Sequence, residues 1–181
     1  MHSHLSETFA FMDASRAALA AAAESVPEAL RRQRPTPDRW SAVEILEHLA
    51  LVEGRFTHML ESTVGEALER GLGPETASRE PLPANIGQMM GNRSNTRTAP
   101  DPVQPTGTLD EPSAWAALAE TRRAFQAVLS RCDGLALSSV VHPHPFFGPL
   151  NAYQWGELIA GHEMRHAQQM RELATQLAAR A

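Results

Sequence analysis

The sequence predicts an all-α protein, a four-helix bundle with one long crossover between its second and third helices. Two observations carry that prediction. Four long segments repeat apolar residues every three or four positions and hold little Gly or Pro. The longest stretch between them, Gly71 to Leu109, is rich in Pro, Gly, Asn, Ser and Thr and contains no strand of convincing length. At 181 residues the chain reads as a single domain over 1–181, long enough to bury a core without disulfides.

The first predicted helix runs from about Ser6 to Arg32, with Leu5, Phe9, Met12, Leu19, Val26 and Leu30 as its apolar positions. Ser6 is its candidate cap, and Pro27 marks a kink or a break into two pieces. The second follows Pro35-Thr36-Pro37-Asp38 and runs from about Ser41 to Glu69. Its start is a capping box, Ser41-Ala42-Val43-Glu44, in which serine and glutamate satisfy each other's backbone N–H groups. The third opens at Asp110-Glu111-Pro112, because proline in a first turn gives up no helical hydrogen bond. It continues to about Cys132 with Trp115, Leu118, Phe125, Val128 and Leu129 as its stripe. The fourth begins near Asn151 and continues to the chain end, with Trp155, Ile159, His162, His166, Met170, Leu173 and Leu177 in three-four spacing.

Two connections stand out. The Gly71–Leu109 segment is expected to be a functional loop or a crossover over the bundle. Val140 to Leu150 holds Pro143, Pro145 and Pro149, which force an extended path into the fourth helix.

Composition narrows the partners. With 21 acidic and 16 basic residues the formal charge is −5, and no basic patch points to nucleic acid. The longest apolar run, Ala17 to Ala23, is mostly alanine and too short for a bilayer, so no membrane partner is expected. The Met1-His2-Ser3-His4-Leu5 start lacks the features of a signal peptide, and a lone Cys132 fits a reducing compartment; a cytoplasmic location is expected.

The chemistry concentrates in Gly161-His162-Glu163-Met164-Arg165-His166, an H-E-x-x-H run. On a helix that spacing separates two imidazoles by about 6 Å of rise and ~40° of turn, so both can grip one metal ion. Both histidines lie on the apolar stripe of the fourth helix, the side on which bundles build metal sites. The candidate third ligand is His48, flanked on its own face of the second helix by Ile45, Leu49 and Val52. Three neutral imidazoles with no fourth protein ligand form an open, catalytic pattern. Such a set suits Zn²⁺ or Ni²⁺ and also accepts Fe²⁺ or Mn²⁺. Glu44, one turn before His48, and Glu163, beside the pair, are the candidate catalytic carboxylates. His2 and His4 read as a frayed terminus, His58 as surface, and His142 and His144 as an entrance or a rigid connector. Arg165 reads as an exposed or dimer-contact residue.

The run also permits a peptidase reading with Glu163 as base. That needs a downstream third ligand, for which Glu172 is the acidic candidate; the extended pattern fails where Gln169 replaces a glycine. A third reading is non-enzymatic: a dimeric binding or stress protein whose metal is structural.

Trp40-Ser41-Ala42-Val43-Glu44-Ile45-Leu46-Glu47-His48-Leu49 resembles the helix-two signature of the DinB/YfiT-like superfamily. His144-Pro145-Phe146-Phe147-Gly148-Pro149-Leu150-Asn151-Ala152-Tyr153-Gln154-Trp155, followed by His162 to His166 and Gln169, is similar to its helix-four signature. The resemblance implies a four-helix bundle, often a homodimer, with a divalent metal held by His48, His162 and His166. It further implies a small-molecule substrate, since some relatives are thiol S-transferases using a low-molecular-weight thiol such as glutathione, bacillithiol or mycothiol, or thiol-dependent isomerases. The superfamily name is no ground for DNA chemistry.

Overall fold

Four long helices form where the apolar periodicity places them. In the computed structural model, which describes residues 1–92 and 99–179, they are α1 (Ser3–Glu24), α2 (Ala42–Glu69), α4 (Glu111–Ser130) and α5 (Ala152–Ala178). A short helix, α3 (Ala84–Gly91), lies within the crossover, and a two-stranded hairpin, β1 (Val141–His144) and β2 (Gly148–Asn151), precedes α5. The parts of the predicted crossover and last helix at 93–98 and 180–181 lie outside the described residues.

The caps explain the clean starts. Ser41 and Glu44 form the reciprocal capping box of α2, and Asn151 with Gln154 repeats the device at α5. Asp110 accepts the Ser113 N–H at the start of α4. The first helix corrects the sequence reading. It begins at Ser3 rather than Ser6, because His2 serves as its cap while its own N–H donates to Asp133. The terminus is therefore tied down, and His4 packs edge-on against Tyr153. Pro27 does break the helix: α1 ends at Glu24, and a single 3-10 turn at Glu28–Leu30 follows.

The helices pack as two pairs, α1 against α5 and α2 against α4. Trp155, Tyr153, Phe125, Leu60 and Leu129 fill one end of the core; Leu19, Ile45, Leu46, Leu118 and Met170 fill the other. The α1–α5 approach is close at Gly156, where an added Cβ would stand 2.6 Å from Thr8 Cγ2 and 3.3 Å from Met12 Sδ.

The crossover is more structured than its composition suggests. Residues 41–50 of α2 are buried on every side, because the segment before α4 covers the outer face of that helix. Glu47 accepts the backbone N–H groups of Thr106 and Gly107 and the Thr106 hydroxyl. The α3 helix lies along α5 and is held at both ends. Glu157 accepts the Leu82 N–H at 2.7 Å and pairs with Arg79, while Arg165 donates to the carbonyls of Met90 and Asn92 at 3.1 and 2.6 Å. Eight residues with two glycines and one buried side chain, Ile86, give too little periodicity to announce a helix.

The path into α5 is extended, as three prolines require, and it pairs with itself. His142 lies opposite Leu150, and Pro143 opposite Pro149, so the two residues lacking an N–H face each other. Gly148, at φ +77°, closes the turn in a region that favours glycine. Among the described residues no helix is long and apolar enough to cross a membrane.

Candidate metal centre

The apolar faces that seat α2 against α5 bring together three histidines that the sequence holds far apart. One ring nitrogen each from His48, His162 and His166 lies within 4.8 Å of the others, and this is the one such group of His, Cys, Asp or Glu among the described residues. The ring centroids are 4.5 Å apart for His162 and His166, 5.0 Å for His48 and His166, and 5.3 Å for His48 and His162. Nε2 of His162 and Nε2 of His166 stand 3.1 Å apart.

The outward nitrogens are already used. Nδ1 of His48 donates to the Val103 carbonyl at 2.7 Å, and Nδ1 of His166 donates to Gln169 Oε1 at 2.9 Å. A proton on Nδ1 leaves Nε2 of a neutral ring with a lone pair, so two of the three rings present bare nitrogens toward the third. Burial pushes the His48 imidazole below its ordinary pKa, against the Val103 hydrogen bond, which favours the charged form. Burial also lowers His162, with His48 and Arg165 adding positive charge nearby, to about 3. Neutral imidazoles converging in a buried place are the donor set a divalent cation takes. Trp40, at the entry to α2, tilts over His48 at 4.6 Å and stacks on His166 at 6.4 Å, roofing one side.

The two candidate carboxylates stand elsewhere. Glu44 completes the capping box and is gripped by the Arg34 guanidinium through both oxygens. Burial raises its pKa, but Arg34 and Ser41 outweigh that and hold the carboxyl below its usual range. Glu163, 1 % exposed, is turned into the bundle core. Its Oε1 accepts from Arg16 Nε at 2.7 Å, and its Oε2 lies 2.6 Å from Ser15 Oγ and 2.9 Å from Arg122 Nη2. Neither carboxylate joins the histidine group, and nor does Glu172.

The remaining histidines go to other work. His58 is exposed. His142 and His144 sit on β1; His144 stacks on Phe147 at 4.5 Å, and both rings lie near Trp155. Sequence reasoning missed Val103, whose contribution is a backbone carbonyl that any residue would carry. It also gave Gln169 no role, although its i, i+3 spacing from His166 places the two on one helical face.

Comparison with known proteins agrees with the helical fold. A family model described as the DinB superfamily matches residues 12–170. The chain is 29% identical over 142 residues to the "Uncharacterized protein YuaE" of Bacillus subtilis (strain 168), covering 78% of this chain and 81% of that protein. Among solved structures it resembles "TT2238, a four-helix bundle protein", with a TM-score of 0.54 and 20% identity over 93% of this chain and 98% of the other. That likeness speaks for the fold alone.

Proposed function

The chain belongs to the DinB superfamily, and we propose that His48, His162 and His166 hold a divalent metal ion that serves an enzymatic reaction, with a water or a small thiol as the activated partner. The observation that carries this reading is the convergence of three ring nitrogens within 4.8 Å while Val103 and Gln169 occupy the outward nitrogens of two rings. The donor set fits such an ion: burial disfavours the charged form of His48 and His162, and hydrogen bonds orient His48 and His166 from behind.

Structural zinc sites are usually closed by four protein ligands, and here three histidines converge without a fourth His, Cys, Asp or Glu among the described residues. A divalent ion held with open positions supplies Lewis acidity, making a water or thiol beside it acidic enough to react near neutral pH. The chain's own residues do the rest. Val103 and Gln169 fix the ring tautomers, Trp40 shields the ligands, and α3 limits access along α5. Zn²⁺ and Ni²⁺ are the favoured ions, with Fe²⁺ and Mn²⁺ compatible. A small-molecule substrate, thiol transfer or hydrolysis as the reaction, a homodimer and a cytoplasmic location belong to the same reading.

Metal analysis of the purified protein tests it. About one divalent ion per chain is expected, lost in both His48→Ala and His166→Ala; full retention in both variants defeats the proposal. Metal-dependent consumption of an electrophile only when a cellular thiol is supplied would mark thiol transfer over hydrolysis. In a second, non-enzymatic reading the ion is structural; a metal-loaded chain that exchanges no water or thiol at the ion would select it.

A further inference from the structure

The glutamate inside the H-E-x-x-H run has no oxygen to spare. Both oxygens of Glu163 accept hydrogen bonds or ion pairs from Ser15, Arg16 and Arg122. The two arginines are fixed in turn. Arg122 Nε donates to Glu53 at 2.6 Å and its Nη1 to the Met12 carbonyl at 2.7 Å; Arg16 Nη2 reaches Glu53 at 3.2 Å and its Nη1 the Leu118 carbonyl at 3.3 Å. Two guanidiniums and two carboxylates make a neutral, buried cluster with members from all four long helices.

A cluster of this kind is weak as a source of stability, because desolvating four charges offsets most of their attraction, and apolar residues of similar volume would serve as well. What it gives is direction: each guanidinium reaches both carboxylates, Nε on one and Nη2 on the other, so the helices that carry them have one relative setting. Its members divide between the two helix pairs. Ser15, Arg16 and Glu163 come from α1 and α5, while Glu53 and Arg122 come from α2 and α4. The histidines divide along the same seam, with His48 on α2 and His162 and His166 on α5.

We propose that Glu163 is a positioning residue: held by the Arg16–Glu53–Arg122 cluster, it fixes the rotation of α5 so that His162 and His166 face His48. The inference rests on the three-histidine reading of the site. Glu163 follows His162 directly and precedes His166 by three residues, so the anchor and both rings share one helical turn. A rotation of ~20° about the helix axis would carry a side-chain tip at a radius of about 5 Å through roughly 2 Å. Metal–ligand distances tolerate only about 0.2 Å. A modest loss of rotational setting therefore costs the site before it costs the fold.

The experiment compares wild type, Glu163→Gln and a control, Leu60→Ala, which opens the core at a completely buried residue away from both clusters. Two readouts are taken: Co²⁺ titration followed by its visible absorption, and the ring nitrogen signals of the histidines by NMR in metal-free protein. The expected result is a loss of Co²⁺ affinity of about tenfold or more in Glu163→Gln. It is accompanied by shifted or broadened His162 and His166 ring signals, with neither change in Leu60→Ala. Unchanged Co²⁺ affinity and unchanged ring signals in a folded Glu163→Gln would overturn the proposal. If that variant does not fold, Ser15→Ala takes its place, and the same ring signals must move or the proposal falls. A wild type that takes up no Co²⁺, with ring signals that still respond to Glu163→Gln, would defeat the metal reading and leave the positioning role standing.

Discussion

The Val103 carbonyl oxygen accepts the Nδ1 proton of His48 at 2.7 Å, so a backbone atom of the crossover sets the tautomer of a ring on α2. Gln169 does the same for His166 from within α5. Two rings held this way should show a protonated Nδ1 and a bare Nε2 in the metal-free protein, which long-range proton–nitrogen NMR reads directly. Gln169→Leu removes one of the two acceptors and leaves the ligands in place. We expect it to lower metal affinity by about 10- to 100-fold with little change in the melting temperature of the metal-free protein. Undiminished affinity would show that the His166 orientation is set by something else.

Met90 sits over Gly161, where an added Cβ would lie 3.9 Å from the methionine Cβ. That separation suits a disulfide. The double variant Met90→Cys/Gly161→Cys should cross-link α3 to α5 on mild oxidation, detected as a mass loss of about two hydrogens that a reductant reverses. Cys132 is completely buried and does not compete. Failure to cross-link would place α3 elsewhere.

Glu44 supplies the pH dependence with the clearest sign. Arg34 and Ser41 outweigh burial and depress its pKa below the ordinary 4.5. A depressed carboxylate contributes stability that is present above the ordinary value and lost as the pH falls through the folded one. Glu44→Gln keeps an acceptor for the capping box but gives up the Arg34 pair, at a cost of about 0.5–1 kcal/mol near neutrality. The gap between the two proteins in chemical denaturation should close as the pH falls below about 4.5. A gap that is constant from pH 7 to pH 3 would mean that the carboxylate charge contributes nothing.

Gly156→Ala should destabilise the bundle by about 1–3 kcal/mol, because the new methyl meets Thr8 Cγ2 at 2.6 Å between closely packed helices. Thr8→Ser removes that methyl and keeps the hydroxyl, which donates to the His4 carbonyl. Combining the two should recover part of the loss, and strictly additive effects would show that the clash is absorbed elsewhere.

The sequence made His48 legible because the residue sits among Ile45, Leu49 and Val52 on one helical face, and a face is a local property. The start of α2 was legible for the same reason, since a capping box is written within four residues, and the start of α4 because Pro112 stands in its first turn. Arg16, Glu53 and Arg122 were not. Each reads singly as a solvated helix charge, and only the packing of two helix pairs makes them neighbours of Glu163. The hairpin before α5 was half legible: its prolines announce extension, while its pairing depends on a glycine turn that prolines obscure. The α3 helix gave least warning, because contacts with Glu157 and Arg165 hold it rather than its own propensity.

The seam between the α1–α5 and α2–α4 pairs is crossed by the three histidines as well as by the buried charges. An ion gripping all three would act as a removable rivet between two half-bundles. Separating the halves would then mean releasing the ion, and each tenfold rise in free metal would add about 1.4 kcal/mol to the work of opening once the site is saturated. The melting point of such a chain becomes a gauge of metal supply, whatever reaction the site performs.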